Sequence, residues 1–346
     1  VIDLDVPAVV SGAAGFGITK AGTGAMRLSG TNTFDGPVSV TGTLLARHPQ
    51  ALGVPSAARA LTVAASSSLV FDGVNGNISV PANYTTLSLS GAGNTLLGPI
   101  SGALVNWAGT NSVPSTITLA AATQLASLKT ANKLTLSGNI SGAFGLTVYG
   151  EGDTDLGGVL GTGAGTLIKY GGGTLTLSGA GANTFSGATT VYGGTLLLNK
   201  NAGVNAIPGA GAINTYSGGL VKYGGNNNMV VDTVAMNLYG TGQLDFNGAS
   251  DTIGAVTIAS SSGAAANSVA ITNTAGGGAL TVASLAITPV SGYLTTHDAR
   301  TGTLKLGGDV TFTAAGSGRA KISGNLALGA ATRTFTVGDS VSSNAV

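Results

Sequence analysis

The sequence predicts an all-β chain wound as a right-handed parallel β-helix, a β-solenoid, and three observations predict it. Apolar and small polar residues alternate with period two over short runs, as at Leu175 and Leu177, the pattern of half-buried strands. Such runs return every eight to twelve residues or so, with Gly, Asn or Ser between them. One stretch also occurs twice: residues 163–199 read GAGTLIKYGGGTLTLSGAGANTFSGATTVYGGTLLLN and residues 16–46 read FGITKAGTGAMRLSGTNTFDGPVSVTGTLLA. Lys20 answers to Lys169, Leu28 to Leu177, Asn32 and Phe34 to Asn183 and Phe185, and Thr43-Leu44-Leu45 to Thr195-Leu196-Leu197.

A repeat makes length a poor guide to domain number, so the 346 residues are read as one continuous solenoid over 1–346. Its 58 glycines stand well above the usual ~7 per cent, yet they follow no G-X-Y period, which excludes collagen. Disorder is excluded by 43% hydrophobic residues, a mean hydropathy of +0.39 and only 8% charged residues, because this much apolar surface demands burial. The net charge of +1, without any basic run, leaves nothing to neutralise phosphates, so no nucleic-acid partner is expected. Zero cysteines remove disulfides, thiolate metal sites and thiol catalysis. No stretch of 18 apolar residues exists, so no transmembrane helix is expected. The chain starts at Val1 rather than at a methionine, and is read as a processed unit or a segment of a longer chain.

Taken in order, residues 1–10 place Ile2, Leu4 and Val6 on one side and Asp3 and Asp5 on the other, until Pro7 denies the next ladder hydrogen bond. The first repeat copy follows, then Arg47-His48-Pro49-Gln50, which reads as a turn. ALTVAASSSLVFDG from Ala60 finds a counterpart in INTYSGGLVKYGG from Ile213. Strands then recur as TLSLSG, TITLAAA, KLTLSGNISG and LTVYG. The run from Thr118, TLAAATQLASLKTA, has some helical propensity, but its alternating neighbours assign it to strand. Beyond Leu220 the alternation persists through MVVDTVAMNLYG, QLDFNG, AVTIASSSG and LTVASLAITPV to TRTFTVGDS. Coils of roughly 20 residues stacked ~4.8 Å apart would form a rod of order 80 Å.

GTLIKYGGGTLTLSGAGANTFSGATTVYGGTLLL closely resembles the autotransporter-associated β-strand repeat, or passenger-associated transport repeat, of large bacterial surface and secreted proteins. Its form is a strand ending in Lys, a Gly-rich turn, LTLSG, NT(F/Y)SG, TTV and GGTL. The first copy departs from it at Ala25-Met26-Arg27. The resemblance implies a right-handed β-helix and an extracellular location, at the cell surface or secreted, without implying a catalytic activity.

Candidate chemistry is sparse. Gly22 to Gly24 and Gly161 to Gly165 precede strands rather than a helix, so they read as turn glycines and not as phosphate cradles. His48 and His297 are far apart, and His297 and its neighbour Asp298 point to opposite faces of a strand, which denies a triad. A weak calcium candidate lies in the acidic cluster Glu151, Asp153 and Asp155, whose alternate carboxylates could offer oxygen ligands, although such a site needs six or more. With Glu151 the only glutamate and no carboxylate pair to name, no enzyme and no cofactor are expected, and a polysaccharide-degrading β-helix is the least favoured reading.

The favoured reading is a structural building block of a fibre, filament or matrix, joined head to tail to copies of itself or to adjoining repeats of a longer chain. Its expected assembly residues are Val1, Ile2, Leu4, Val6, Phe335, Val337 and Val341, the strand at residues 1–6 pairing with a neighbour's end. The alternative is an adhesin that binds glycans. It would gather Trp107, Tyr149, Tyr170, Tyr192, Tyr223 or Tyr239 in one open patch, whereas a scaffold would disperse or bury them. Several tyrosines precede glycine at a strand end, as do Tyr170, Tyr192 and Tyr223, and are expected to stack as a structural ladder on one edge.

Overall fold

A computed structural model describes residues 1–96, 98, 101–259, 268–289, 293–314 and 317–339, with the backbone alone at 268 and 293–301. Among the described residues the strand pairings are parallel, and one 3-10 turn, Gly73–Asn75, is the only helical element. The fold is a parallel β-solenoid. The chain divides into two compact units, Val1–Gly179 and Ala180–Val346.

Three faces build unit 1. The first stacks Leu4–Val6, Ala25–Leu28, Thr43–Ala46, Ser68–Asp72, Leu104–Ala108, Thr123–Ser127, Leu146–Tyr149 and Leu167–Lys169. The second stacks Ile18–Lys20, Val38–Val40, Arg59–Val63, Tyr84–Leu89, Thr116–Leu119, Ile140–Ser141 and Leu160–Gly161. The third stacks Thr110–Val113, Lys133–Leu136, Asp153–Leu156 and Thr174–Gly179. The strand run from Thr118 is therefore split between two faces, and Arg47 to Gln50 form the expected turn.

Because side chains alternate along a strand, parallel register puts like residues in files. Met26, Leu44, Leu69, Leu104, Leu125 and Val148 follow one another inward on the first face. Ile18, Val38, Leu61, Leu87, Ile117, Ile140 and Leu160 do so on the second. A single turn cannot cover its own inner face; stacking covers it and completes the backbone hydrogen bonding together. Neighbouring turns are joined by bonds between residues about one circuit apart, such as Val10 N to Asn32 Oδ1, 22 positions away, and Asn106 Nδ2 to Ser127 Oγ, 21 away.

One circuit is longer. Ser68 Oγ donates to Gly102 O, 34 positions on, and among the described residues of this circuit Asn94 lies over the outside of the first face, where its N donates to Ser68 Oγ and its Oδ1 accepts from Thr43 Oγ1. Leu45, Val70, Val105 and Ala126, outward residues in one file, are buried as a result. Ile2 packs against this outer cluster. Leu4 and Val6 instead take the inward register of Met26 and Leu28, so the expected grouping of Ile2 with them does not hold: Ile2 precedes the strand and escapes its alternation.

Unit 2 is built from two stacks. One runs through Thr189–Val191, Ile213–Thr215, Met236–Tyr239, Asp251–Ala259, Ala279–Thr288, Val310–Phe312 and Phe335–Val337. The other runs through Gly194–Lys200, Gly219–Tyr223, Gln243–Asp245, Ser268–Thr272, Tyr293–Leu306 and Arg319–Ala327. Leu196, Val221, Leu244 and Ile271 share an inward file of the second stack.

Candidate functional site

The repeat motif is the first place to look for chemistry, and its polar residues face the core. Lys20 and Lys169 end their strands pointing inward, in register with Val40 and Val148, and are only 7% and 2% exposed. Each ammonium is held by the carbonyls of the next two residues: Lys20 Nζ donates to Ala21 O at 2.9 Å and Gly22 O at 2.8 Å, and Lys169 Nζ to Tyr170 O at 2.8 Å and Gly171 O at 2.7 Å. Lys20 also reaches Thr41 O on the following turn at 3.0 Å. Gly22 and Gly171 have φ of +77° and +78°, a conformation that an L side chain strains to adopt and that turns the carbonyl back onto the amine. Removal from water lowers both lysine pKa values, that of Lys169 to about 8, since burial disfavours the charged form.

This shift fixes a pH dependence. In the unfolded chain Lys169 keeps its proton up to about 10.5, whereas the folded chain releases it from about 8. The cost of the buried charge is therefore fully present below pH 8 and relieved as pH rises towards 10.5, by at most about 3 kcal/mol. Denaturant melts across this window should show wild-type stability rising relative to Lys169→Met, and parallel curves for the two proteins would refute the assignment.

The other motif residues are internal as well. Asn32 Nδ2 donates to Ala51 O and Asn183 Nδ2 to Ala206 O, both at 2.8 Å, while Phe34 and Phe185 are buried. Asn32, Asn183, Phe34 and Phe185 thus tie one turn to the next rather than meeting a ligand.

The acidic cluster is dispersed along a wall. Asp153 and Asp155 share the outward side of their strand, but Glu151 accepts from Gly172 N at 3.2 Å, Asp153 from Thr174 N at 2.9 Å and Asp155 from Ser178 Oγ at 2.6 Å. Lys133 Nζ lies 3.9 Å from Asp155. Among the described residues no three His, Cys, Asp or Glu side chains gather to hold a metal. His48 is half-buried in its turn, where Nδ1 accepts from Gln50 N; the side chains of His297 and Asp298 lie outside the described residues.

Tyrosines do stack, and the stacks include Tyr149, Tyr216 and Tyr239, which the expected ladder left out. Tyr149 and Tyr170 stack in unit 1 with ring centroids 4.7 Å apart. In unit 2 Tyr192, Tyr216 and Tyr239 stack at 4.8 and 5.0 Å. The register explains the trio, because Val191, Thr215 and Leu238 pair in file and each tyrosine is the next residue. Tyr223, expected in the ladder because it too precedes glycine, is instead fully buried, with its hydroxyl on Asp251; its position in the alternation, in file with Leu198, turns it inward. Trp107 packs against the outer cluster of unit 1 beneath Lys129 Nζ, 5.8 Å from the ring centroid.

At the low-numbered end of unit 1 a cleft of about 320 Å³ is lined by Asp3, Leu4, Lys20, Ala25 and Met26; Val1 is 93% and Leu4 54% exposed, and Val6 is half-buried. Unit 2 has a groove of about 750 Å³ among Ile287, Val310, Phe312, Ile322, Phe335 and Val337. Phe335 and Val337 are 44% and 72% exposed; Val341 lies outside the described residues.

Fold and motif together fit an autotransporter-passenger-like β-helix whose motif residues are built into the core. The chain carries two passenger-associated transport repeats: the model of the Passenger-associated-transport-repeat family matches residues 18–45 and 167–198. The repeat implies a secreted or surface protein. No curated protein and no solved structure matches the chain. No helix among the described residues is long and apolar enough to cross a membrane.

Proposed function

We propose that the chain is a structural extracellular protein, a β-solenoid building block of a surface fibre, filament or matrix that joins further coils head to tail. The supporting observation is the pair of exposed apolar strand faces. Leu4 and Val6 continue the inward files of Met26 and Leu28, and Phe335 and Val337 continue those of Val310 and Phe312. Among the described residues each of these strands is paired along one edge alone, and an unpaired edge beside an apolar face is a template for another strand. Val1, Ile2, Leu4 and Val6 on one side, and Phe335, Val337 and Val341 on the other, form the proposed joint. The added coil belongs to a second copy or to adjoining repeats of a longer chain. Contacts between unlike ends need not close, so they propagate.

The stacked tyrosines favour this scaffold reading over a glycan-binding adhesin. A sugar packs its apolar side on an open ring face, and stacking covers those faces with other rings. The motif residues likewise bear on coil geometry rather than catalysis, which supports a non-enzymatic role.

Removing residues 1–10 should leave the circular dichroism of the solenoid intact while abolishing filaments in electron micrographs and the growth of light scattering with concentration. A 346-residue chain that stays strictly monomeric at high concentration would sink the form of the proposal in which the added coil belongs to a second copy.

A further inference from the structure

The geometry points to the tyrosine stacks as oxidative cross-linking sites, at which a one-electron oxidant joins tyrosines of successive turns as dityrosine. Three features of unit 2 carry this inference, which is independent of the proposed assembly. The rings of Tyr192, Tyr216 and Tyr239 lie nearly parallel, with interplanar angles of 16° and 25° and centroids 4.8 and 5.0 Å apart. Radicals formed on neighbours are thus held together before either diffuses, the proximity that favours an intramolecular over a bimolecular step. Tyr192 and Tyr216 are 40% and 36% exposed, so an oxidant reaches their edges. All three stand at strand ends: Tyr192 and Tyr216 follow the last paired residue and Tyr239 is the last of its strand. The chain turns just after each ring, but Tyr216 N still donates to Val191 O and Tyr239 still pairs with Ala259, so side-chain torsions rather than the backbone take up the movement that the new bond needs.

The chemistry balances with a peroxidase and hydrogen peroxide as the oxidant. Each phenol gives up one electron and its hydroxyl proton to become a phenoxyl radical. Two radicals form a carbon–carbon bond between ring positions ortho to oxygen, and the hydrogen on each joined carbon shifts to oxygen as the ring regains aromaticity. The two electrons and two protons released, with the two oxygens of peroxide and its own protons, leave as two waters. In a chain without cysteine this bond supplies a covalent tie between turns, and the pair Tyr149–Tyr170 in unit 1, with an interplanar angle of 14°, offers the same chemistry.

The test treats the full chain at low concentration with a peroxidase and hydrogen peroxide, isolates the monomer-sized fraction, and maps cross-linked peptides by mass spectrometry alongside dityrosine fluorescence. The expected adducts join Tyr216 to Tyr192 or Tyr239, and Tyr149 to Tyr170. Tyr216→Phe keeps the ring but removes the phenol. With unchanged circular dichroism it should lose both unit 2 adducts while retaining the Tyr149–Tyr170 adduct, which shows that the oxidation itself succeeded. Coupling confined to covalent dimers, adducts drawn from buried Tyr84 or Tyr223, or single-ring oxidation without coupling would each overturn the inference.

Discussion

Replacing Leu177 by Asp is expected to destabilise unit 1 by on the order of 4 kcal/mol, because a buried carboxylate without a partner costs several kcal/mol in addition to the lost apolar burial. Leu177 is fully buried and follows Val113, Leu136 and Leu156 in one inward file. The same charge introduced at Thr130, exposed in a turn, should change stability by no more than about 0.5 kcal/mol, the range for surface positions away from special features. Chemical denaturation of the two variants decides the matter; equal losses would contradict the register that turns Leu177 inward.

Replacing Asp251 by Leu is the second large effect expected, and here the damage comes from donors left behind. Asp251 Oδ2 accepts from Tyr223 OH at 2.9 Å and from the backbone amides of Met229 and Val230 at 3.0 Å each, all inside unit 2, and Oδ1 accepts from Thr252 N at 2.8 Å. Burial raises the carboxyl pKa against the pull of these bonds, and burial beside the carboxylate pushes the Tyr223 hydroxyl well up. Leucine fills part of the space but strands three buried donors, each worth roughly 1–3 kcal/mol when unsatisfied, so a loss of on the order of 4 kcal/mol follows. Asp251→Asn keeps an acceptor oxygen and should lose clearly less. Thermal melts that place the two variants together would show that the hydrogen bonds do not hold this corner.

The strands were legible from the sequence because period-two alternation reports directly which residues face inward within a turn. The two copies of the repeat were legible because identical turns need identical corner residues, such as the glycine two positions after Lys20 and Lys169. The direction of those lysines was harder to see. A lysine is ordinarily an outward residue, and only its position in the alternation, two after Ile18 and Leu167, signals that it is buried. What covers the outside of a face was not readable from alternation at all, since that depends on where a longer connection lies. The consecutive apolar residues Leu44-Leu45 and Leu69-Val70-Phe71 carried the available signal, because a strand buried on both sides loses its alternation. Tyr216 escaped notice because it precedes Ser217 rather than glycine; counting residues from the previous turn's Tyr192 would have found it. The joint residues near both ends were nominated from pattern alone, and Ile2 shows the weakness of that method where a strand has not yet begun.

The long circuit between Ser68 and Gly102 also bears on how such a chain can change. Leu69 still pairs with Leu104, and Leu104 with Leu125, so the register of the stack passes the added length unbroken. Entropic cost grows only slowly with the length of a connection. Corners of this kind are therefore places where foreign sequence can be grafted and displayed while the frame beneath keeps its count, which makes the outer wall freer to diversify than the interior that supports it.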